Sequence, residues 1–170
     1  MIKYLVVVAV IAACSKSSSD SGSSKAGPGA SKPNAPAGTP CERKLVSVED
    51  VAGILTEPIT GTKPLNGDAQ TCDFITATDA HGGPGIRVSV REGLGKQTIE
   101  MLKAGKMNVE GTPLPGVGDE ALFVKDLREV NATKNDTLCD VALSGSAVID
   151  HYTDLDKKLG VICTKIFAKL

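Results

Sequence analysis

The sequence is poor in aromatic side chains, and this shortage limits what its surface can recognise. It has no Trp and only two Tyr and three Phe in 170 residues. Surfaces that stack bases or sugars need exposed rings, so we expect Phe74, Phe123, Tyr152 and Phe167 to be core residues. The formal net charge of -1 also argues against electrostatic capture of nucleic acid or anionic lipid.

Motifs for a metal site or a catalytic nucleophile are missing as well. No CxxC pair, close Cys/His cluster or GxSxG segment occurs, and the only histidines, His81 and His151, stand far apart. Zinc sites usually show short ligand spacings, and a serine nucleophile needs a positioned histidine. We therefore expect no metal, no cofactor and no catalysis. The enzyme alternative is a hydrolase using His151 with Asp150 or Asp154.

Long apolar runs are also absent. The run at residues 4–13 is about half of the roughly 20 residues that a membrane-spanning helix needs. Lys3 precedes it and a serine-rich stretch follows Cys14, which is the layout of a signal peptide. The segment 11–14, Ile-Ala-Ala-Cys, resembles the lipobox of bacterial lipoproteins. That resemblance implies cleavage of a leader, residues 1–13, and fatty acyl chains on Cys14 that anchor the protein to a membrane.

The stretch after Cys14 has the composition of a linker. Residues 15–40 hold eight Ser, four Gly, four Pro and four Ala, and no aromatic residue. Such a segment cannot bury a core, and as a flexible coil it reaches roughly 28 Å. Ser15 stands where inner-membrane lipoproteins often have Asp, which by resemblance favours an outer membrane. We expect residues 14–40 to tether a single domain, residues 41–170, outside the cytoplasm.

Three helices are predicted within this domain. Ser47 and Asp50 form a capping-box pattern ahead of a helix over residues 48–56. A second helix is predicted over residues 96–104. A terminal amphipathic helix, capped by Thr153 and Asp156, shows apolar residues at three and four residue intervals up to Leu170.

About five strands are predicted between these helices. Residues 86–90 alternate apolar and polar side chains, and residues 71–78 provide a hairpin partner. Residues 121–125 follow a Pro and Gly rich loop, residues 112–118, and two more strands flank the turn at residues 134–136. The order of elements predicts an α+β fold, with an antiparallel sheet and helices packed on one face.

Four cysteines lie in the domain, and an even number in an exported protein predicts two disulfides. Three pairings are possible. We favour Cys41 with Cys72, which ties the entry of the first helix to the first strand, and Cys139 with Cys163, because both fall on inward faces of neighbouring elements. Two separate buried thiols at Cys139 and Cys163 remain the alternative.

The segment 116–121, Gly-Val-Gly-Asp-Glu-Ala, matches the residue pattern of a dinucleotide-binding fingerprint but not its structural context. That fingerprint needs a strand before it and a helix after it, whereas a proline loop precedes this segment and an apolar run follows it. We interpret it as a turn. Asp119 and Glu120 could be taken for a catalytic acid and base, but adjacent strand residues point to opposite faces.

The same segment resembles one found in small bacterial lipoproteins of unknown function. These share a lipobox, a low-complexity linker, a cysteine before the first helix, and a second cysteine followed by an aromatic, here Cys72 and Phe74. The aromatic is more usually Trp. Their fold is similar to that of the photosystem II extrinsic P-subunit superfamily, which implies partner binding rather than catalysis.

The sequence thus predicts a lipid-anchored protein of the cell envelope, periplasmic or on the cell surface. Its domain is expected to bind a protein or a small ligand on the sheet face or at the loops around Pro84 and Gly116. An accessory subunit of an envelope complex is the alternative. Inner or outer membrane, the partner and the oligomeric state stay open.

Overall fold

The computed structural model describes residues 38–78, 82–145 and 152–170. Three α-helices occur in these ranges: α1 (Val48–Val51), α2 (Gly95–Lys103) and α3 (Leu155–Phe167). A 3-10 helix spans Lys125–Leu127. The strands are β1 (Ile59–Leu65), β2 (Asp68–Thr76), β3 (Gly85–Glu92), β4 (Gly111–Pro113), β5 (Glu120–Val124), β6 (Glu129–Lys134) and β7 (Thr137–Ser144). None of the helices in the described ranges has the length and apolarity needed to traverse a bilayer.

All the strands form one antiparallel sheet in the order β1-β2-β3-β7-β6-β5-β4. The α+β class is as predicted, but the sheet has seven strands rather than about five. The two unpredicted strands, β1 and β4, lie at the two edges and contain Pro64 and Pro113. Proline is tolerated at sheet edges because an edge strand leaves some N–H groups without a strand partner.

One face of the sheet carries the larger core. Cross-strand neighbours from β2 to β6, including Cys72, Val88, Val141 and Val130, form one buried cluster with α1 and α3. The residues that α3 contributes are Leu155, Leu159, Ile162, Cys163, Ile166 and Phe167. We call this the helix-packed face.

The second helix lies on the other face, which corrects the prediction that the helices share one face. In β5, Ala121 belongs to the main core, whereas its neighbour Leu122 points to the opposite side and packs with Ile99 and Leu102 of α2. An amphipathic pattern shows that one side of a helix is buried. It does not say which side of the sheet the helix covers.

Both disulfides favoured from the sequence are present. Cys41 is bonded to Cys72, and Cys139 of β7 is bonded to Cys163 of α3. The second bond joins two fully buried residues and fixes α3 to the centre of the sheet.

The two predicted capping boxes have different outcomes. At α1, the Ser47 hydroxyl accepts from the Asp50 amide, and the Asp50 carboxylate accepts from the Ser47 amide at 3.0 Å. The helix ends at Val51 rather than at residue 56, because Gly53 takes a left-handed φ of 78°. At α3 the predicted cap is wrong, since Asp154 is the N-cap residue and makes no side-chain capping bond.

Asp50 also joins α1 to α3. Its carboxylate accepts from the Lys165 ammonium at 3.0 Å. Burial by itself raises the pKa of Asp50, but hydrogen bonds from Lys165 and Ser47 outweigh burial and lower that pKa to about 2. Asp50 and Lys165 therefore form an ion pair that joins α1 to α3 on the helix-packed face.

Candidate ligand site on the open face of the sheet

The Gly116 segment is a structural turn, as predicted from the sequence. Strand β5 follows it, and no helix begins there. Gly118 has a φ of 65°, and a Cβ there would overlap the Thr133 carbonyl oxygen and lie 2.9 Å from the Phe167 ring. The segment thus packs its backbone against the sheet and α3. Phosphate binding of the dinucleotide type uses the N-terminus of a helix, and a strand rather than a helix follows this segment.

The two carboxylates of this turn have separate structural partners. Asp119 accepts from the Asn135 amide at 2.8 Å, and its own amide donates to the Thr133 carbonyl at 2.7 Å. Glu120 forms an ion pair with Lys103 of α2. They do not converge on one point, so they do not form an acid and base pair.

The structure does not bring together the residues of the hydrolase alternative within the part of the chain that it describes. His81, His151 and Asp150 lie outside the described residues. Asp154, at the start of α3, is exposed and pairs with Lys157 at 3.0 Å. Among the residues that the structure describes, no group of three or more His, Cys, Asp and Glu side chains is placed to hold a metal ion.

A different group of side chains converges on the face opposite α1 and α3. Helix α2 covers this face at β5, β6 and the start of β7, whereas none of the α-helices among the described residues covers the part over β3 and the remainder of β7. We call this part the open face. Four residues in register run across it, one from each strand: Thr71 of β2, Ser89 of β3, Asp140 of β7 and Asn131 of β6.

The open face contains a cavity of about 440 Å³. The polar and charged residues of its lining are Thr71, Arg87, Ser89, Arg91, Arg128, Glu129, Asp140 and Ser144. Thr71 and Ser89 are buried although they are polar, and their hydroxyl oxygens lie 2.8 Å apart. Polar residues that alternate along a strand usually face water. Here two of them are buried in a concave polar surface, and this departure from the usual pattern calls for a functional explanation.

Three arginines line the cavity, and two of them, Arg87 and Arg91, are held in place by carboxylates of β2. Arg87 donates through Nε and Nη2 to both oxygens of Asp73, at 2.9 and 3.3 Å, and Asp73 is only 5% exposed. Arg91 donates through Nη2 to Asp68 at 2.8 Å, and Asp68 also accepts from Thr71. A two-pronged pair fixes the plane of a guanidinium as well as its position. Both arginine side chains nevertheless stay about two-fifths exposed.

On the other side of the cavity, Glu129 and Asp140 bring two carboxyl groups together. Desolvation raises the pKa of Asp140 well above its ordinary value, and the charge and hydrogen bonding of Glu129 raise it further. Arg91 and Arg87 lower that pKa, but they do not compensate. The Asn131 amide nitrogen donates to Glu129. The pair therefore retains a proton at pH values where an ordinary carboxyl has lost it.

These cavity residues are not among the site residues predicted from the sequence. Arg87, Ser89 and Arg91 alternate with apolar residues along β3, a pattern that indicates a solvated strand face. The signal that could have found them is the density of paired charges on that face. It becomes visible only once the order of the strands is known, because Ser89 and Asp140 are neighbours across β3 and β7.

Comparisons with known proteins do not assign the chain to a family. No family model, no curated protein and no solved structure matches it. The membership suggested by the lipobox and the Gly116 segment therefore stays a prediction. The geometry of the cavity is the feature from which a function can be inferred.

Proposed function

We propose that the protein is a lipid-anchored protein of the cell envelope whose domain binds a small polar ligand in the open-face cavity. The observation that carries this proposal is the cavity itself, about 440 Å³, lined by charges of both signs that the fold holds in fixed positions. Ligand sites commonly measure about 300 to 1,000 Å³ and use a few polar groups held rigidly. The volume suits a ligand of metabolite size better than a protein surface.

Binding without catalysis is the form we favour. The Ser89 hydroxyl lies 2.8 Å from the Thr71 hydroxyl, and the cavity lining given by the described residues contains no histidine. A serine nucleophile needs an adjacent general base. The arginines, tied to Asp68 and Asp73, have the fixed geometry of recognition groups.

Placement in the envelope rests on the sequence pattern at residues 1–40. Our proposal is that residues 1–13 are a leader, that Cys14 becomes lipidated, and that residues 15–40 hold the domain away from the bilayer. Intact-mass measurement of the protein from its host membranes is the test. We expect the mass of a chain starting at Cys14 plus acyl chains, and a Cys14→Ser variant should keep an unprocessed leader. An intact leader on the wild type would contradict the anchor.

Ligand binding is tested on the full-length protein with a library of small polar metabolites, using thermal shift as the readout. Ala142 lies on β7 between Arg87 and Glu129 and lines the cavity. Ala142→Phe should therefore fill the cavity and abolish the shifts given by any ligand found. Ala168→Phe, at an exposed position after α3, is the matched control and should keep them. Ligand shifts that survive in Ala142→Phe would place binding elsewhere.

A further inference from the structure

The cavity presents opposite charges on its two sides, and we infer that its ligand is a small zwitterion, an α-amino acid or a dipeptide, with its ammonium on the Glu129 and Asp140 side and its carboxylate on the Arg87 and Arg91 side. This inference rests on the proposed function and specifies its ligand class. It follows from how the charges of the open face are arranged and paired.

The carboxyl side brings two acidic groups together, and the arginines near them do not offset the effect on Asp140. Three arginines line the same cavity. Arg87 and Arg91 are held by Asp73 and Asp68 of β2, and Arg128 donates to the Gly145 carbonyl at 3.4 Å. Asn131 supplies one neutral donor to Glu129. A primary ammonium has three N–H donors and a full positive charge. It would add positive charge beside the carboxyl pair and would take the place of the retained proton.

On the arginine side, Arg87 and Arg91 have N–H donors that are not engaged by Asp73 and Asp68. A guanidinium has five N–H donors, and the bonds to β2 carboxylates engage Nε and Nη2 of Arg87 and Nη2 of Arg91. Both side chains reach the cavity and are partly exposed. Arginine is suited to planar carboxylates, so a ligand carboxylate has fixed partners here.

The space between the two sides lies over a small residue. In the cross-strand row Arg87, Ala142 and Glu129, the middle residue has only a methyl group. Neighbouring strands are about 4.8 Å apart, so Arg87 of β3 and Glu129 of β6 are separated by roughly two strand spacings. Asp140 of β7 lies on the strand between them. A compact molecule with its two charges a few bonds apart fits such a gap. A metal ion does not, since no cluster of three ligands occurs in the described part of the chain.

The test is calorimetric titration of the full-length protein in detergent. The probes are the common amino acids and a set of dipeptides, each compared with its N-acetyl derivative and its methyl ester. We expect at least one zwitterion to bind, and blocking either charge should weaken its affinity roughly tenfold to a hundredfold, since each charged hydrogen-bonding group contributes on that scale. A methyl ester adds only one carbon, so size contributes least to a loss seen with the ester, whereas N-acetylation adds a larger group and is interpreted together with the Asp140→Asn variant.

A protein variant provides the second arm. Asp140→Asn keeps the shape of the side chain but removes its charge, and affinity for the zwitterion should fall by about the same factor. Asp126→Asn, at an exposed position outside the cavity lining, is the control and should leave affinity unchanged. Thermal unfolding of both variants checks that they are folded before titration.

The outcomes separate the inference from the proposed function. An acetylated or esterified compound that binds as tightly as its parent, and that Ala142→Phe excludes, overturns the zwitterion but leaves small-ligand binding in place. Zwitterion binding that Asp140→Asn does not weaken also overturns the inference. If neither the zwitterions nor the metabolite library bind, both proposals are wrong.

Discussion

Removing the disulfide between β7 and α3 should cost a large part of the stability of the domain. The double variant Cys139→Ala with Cys163→Ala opens a loop with a sequence separation of 24 residues. Loop-closure entropy for that length corresponds to about 3.5 kcal/mol at 25 °C. Single domains are typically stable by about 5 to 15 kcal/mol, so the loss is severe. It also removes the covalent tie between α3 and the centre of the sheet, where both cysteines are fully buried.

The assay is urea unfolding of the wild type and the double variant, followed by far-ultraviolet circular dichroism. We expect the free energy of unfolding to fall by about 3.5 kcal/mol and the melting temperature to fall on the order of 10 °C. The urea slope should rise, because the unfolded chain becomes less compact. Wild type reduced with dithiothreitol loses both disulfides and should be less stable than the variant. A loss below about 1 kcal/mol would refute the reasoning from loop closure.

Three further predictions follow from single residues. Gly118→Ala should lower the free energy of unfolding by about 2 to 5 kcal/mol in chemical unfolding, because it adds a left-handed alanine and a steric overlap. Gly116→Ala is the control: its φ is positive but the space around it is open, so it should cost only about 1 to 2 kcal/mol. Equal losses in the two variants would contradict the close approach of Gly118 to Thr133 and Phe167. Asp50→Asn should lower the free energy of unfolding by about 2 kcal/mol at pH 7, since hydrogen bonds from Lys165 and Ser47 outweigh burial and lower the pKa of Asp50 to about 2. That stability is present above the unfolded pKa of about 3.9 and is lost as pH falls through 2, so a difference that persists unchanged at pH 2 would be inconsistent with it. Asp140 has a raised pKa in the folded state, so the folded protein binds more protons than the unfolded chain and stability falls as pH rises from about 4 toward that raised value. Asp140→Asn should remove this decline in a pH series of melting curves, and an unchanged pH profile would count against the buried carboxyl pair.

The sequence was sufficient to predict the elements that depend on local pattern. The period of apolar residues in α3, the alternation in β3 and the capping box at Ser47 are all short-range signals, and the structure contains each element. The disulfide between Cys139 and Cys163 also followed from local pattern, because both residues lie on apolar faces. These features need no knowledge of which strands are neighbours.

Features that depend on long-range pairing could not be predicted in the same way. Strands β1 and β4 contain glycine and proline and are strands because they pair at the sheet edges. The side of the sheet that α2 covers is decided by Leu122 and its neighbours in β5, not by the helix. The cavity brings together residues from strands far apart in sequence, so the clustering of its charged side chains cannot be predicted from the order of residues along the chain.

Ligand binding on the open face is tested directly by amide chemical-shift mapping of the isotopically labelled full-length protein during titration with amino acids. We expect the shifts to cluster on the open face, at Arg87, Ser89, Asp140 and Ala142, and to disappear in the Ala142→Phe variant. Shifts confined to the Gly116 turn or to α3, or no shifts with any amino acid or dipeptide, would contradict binding on the open face.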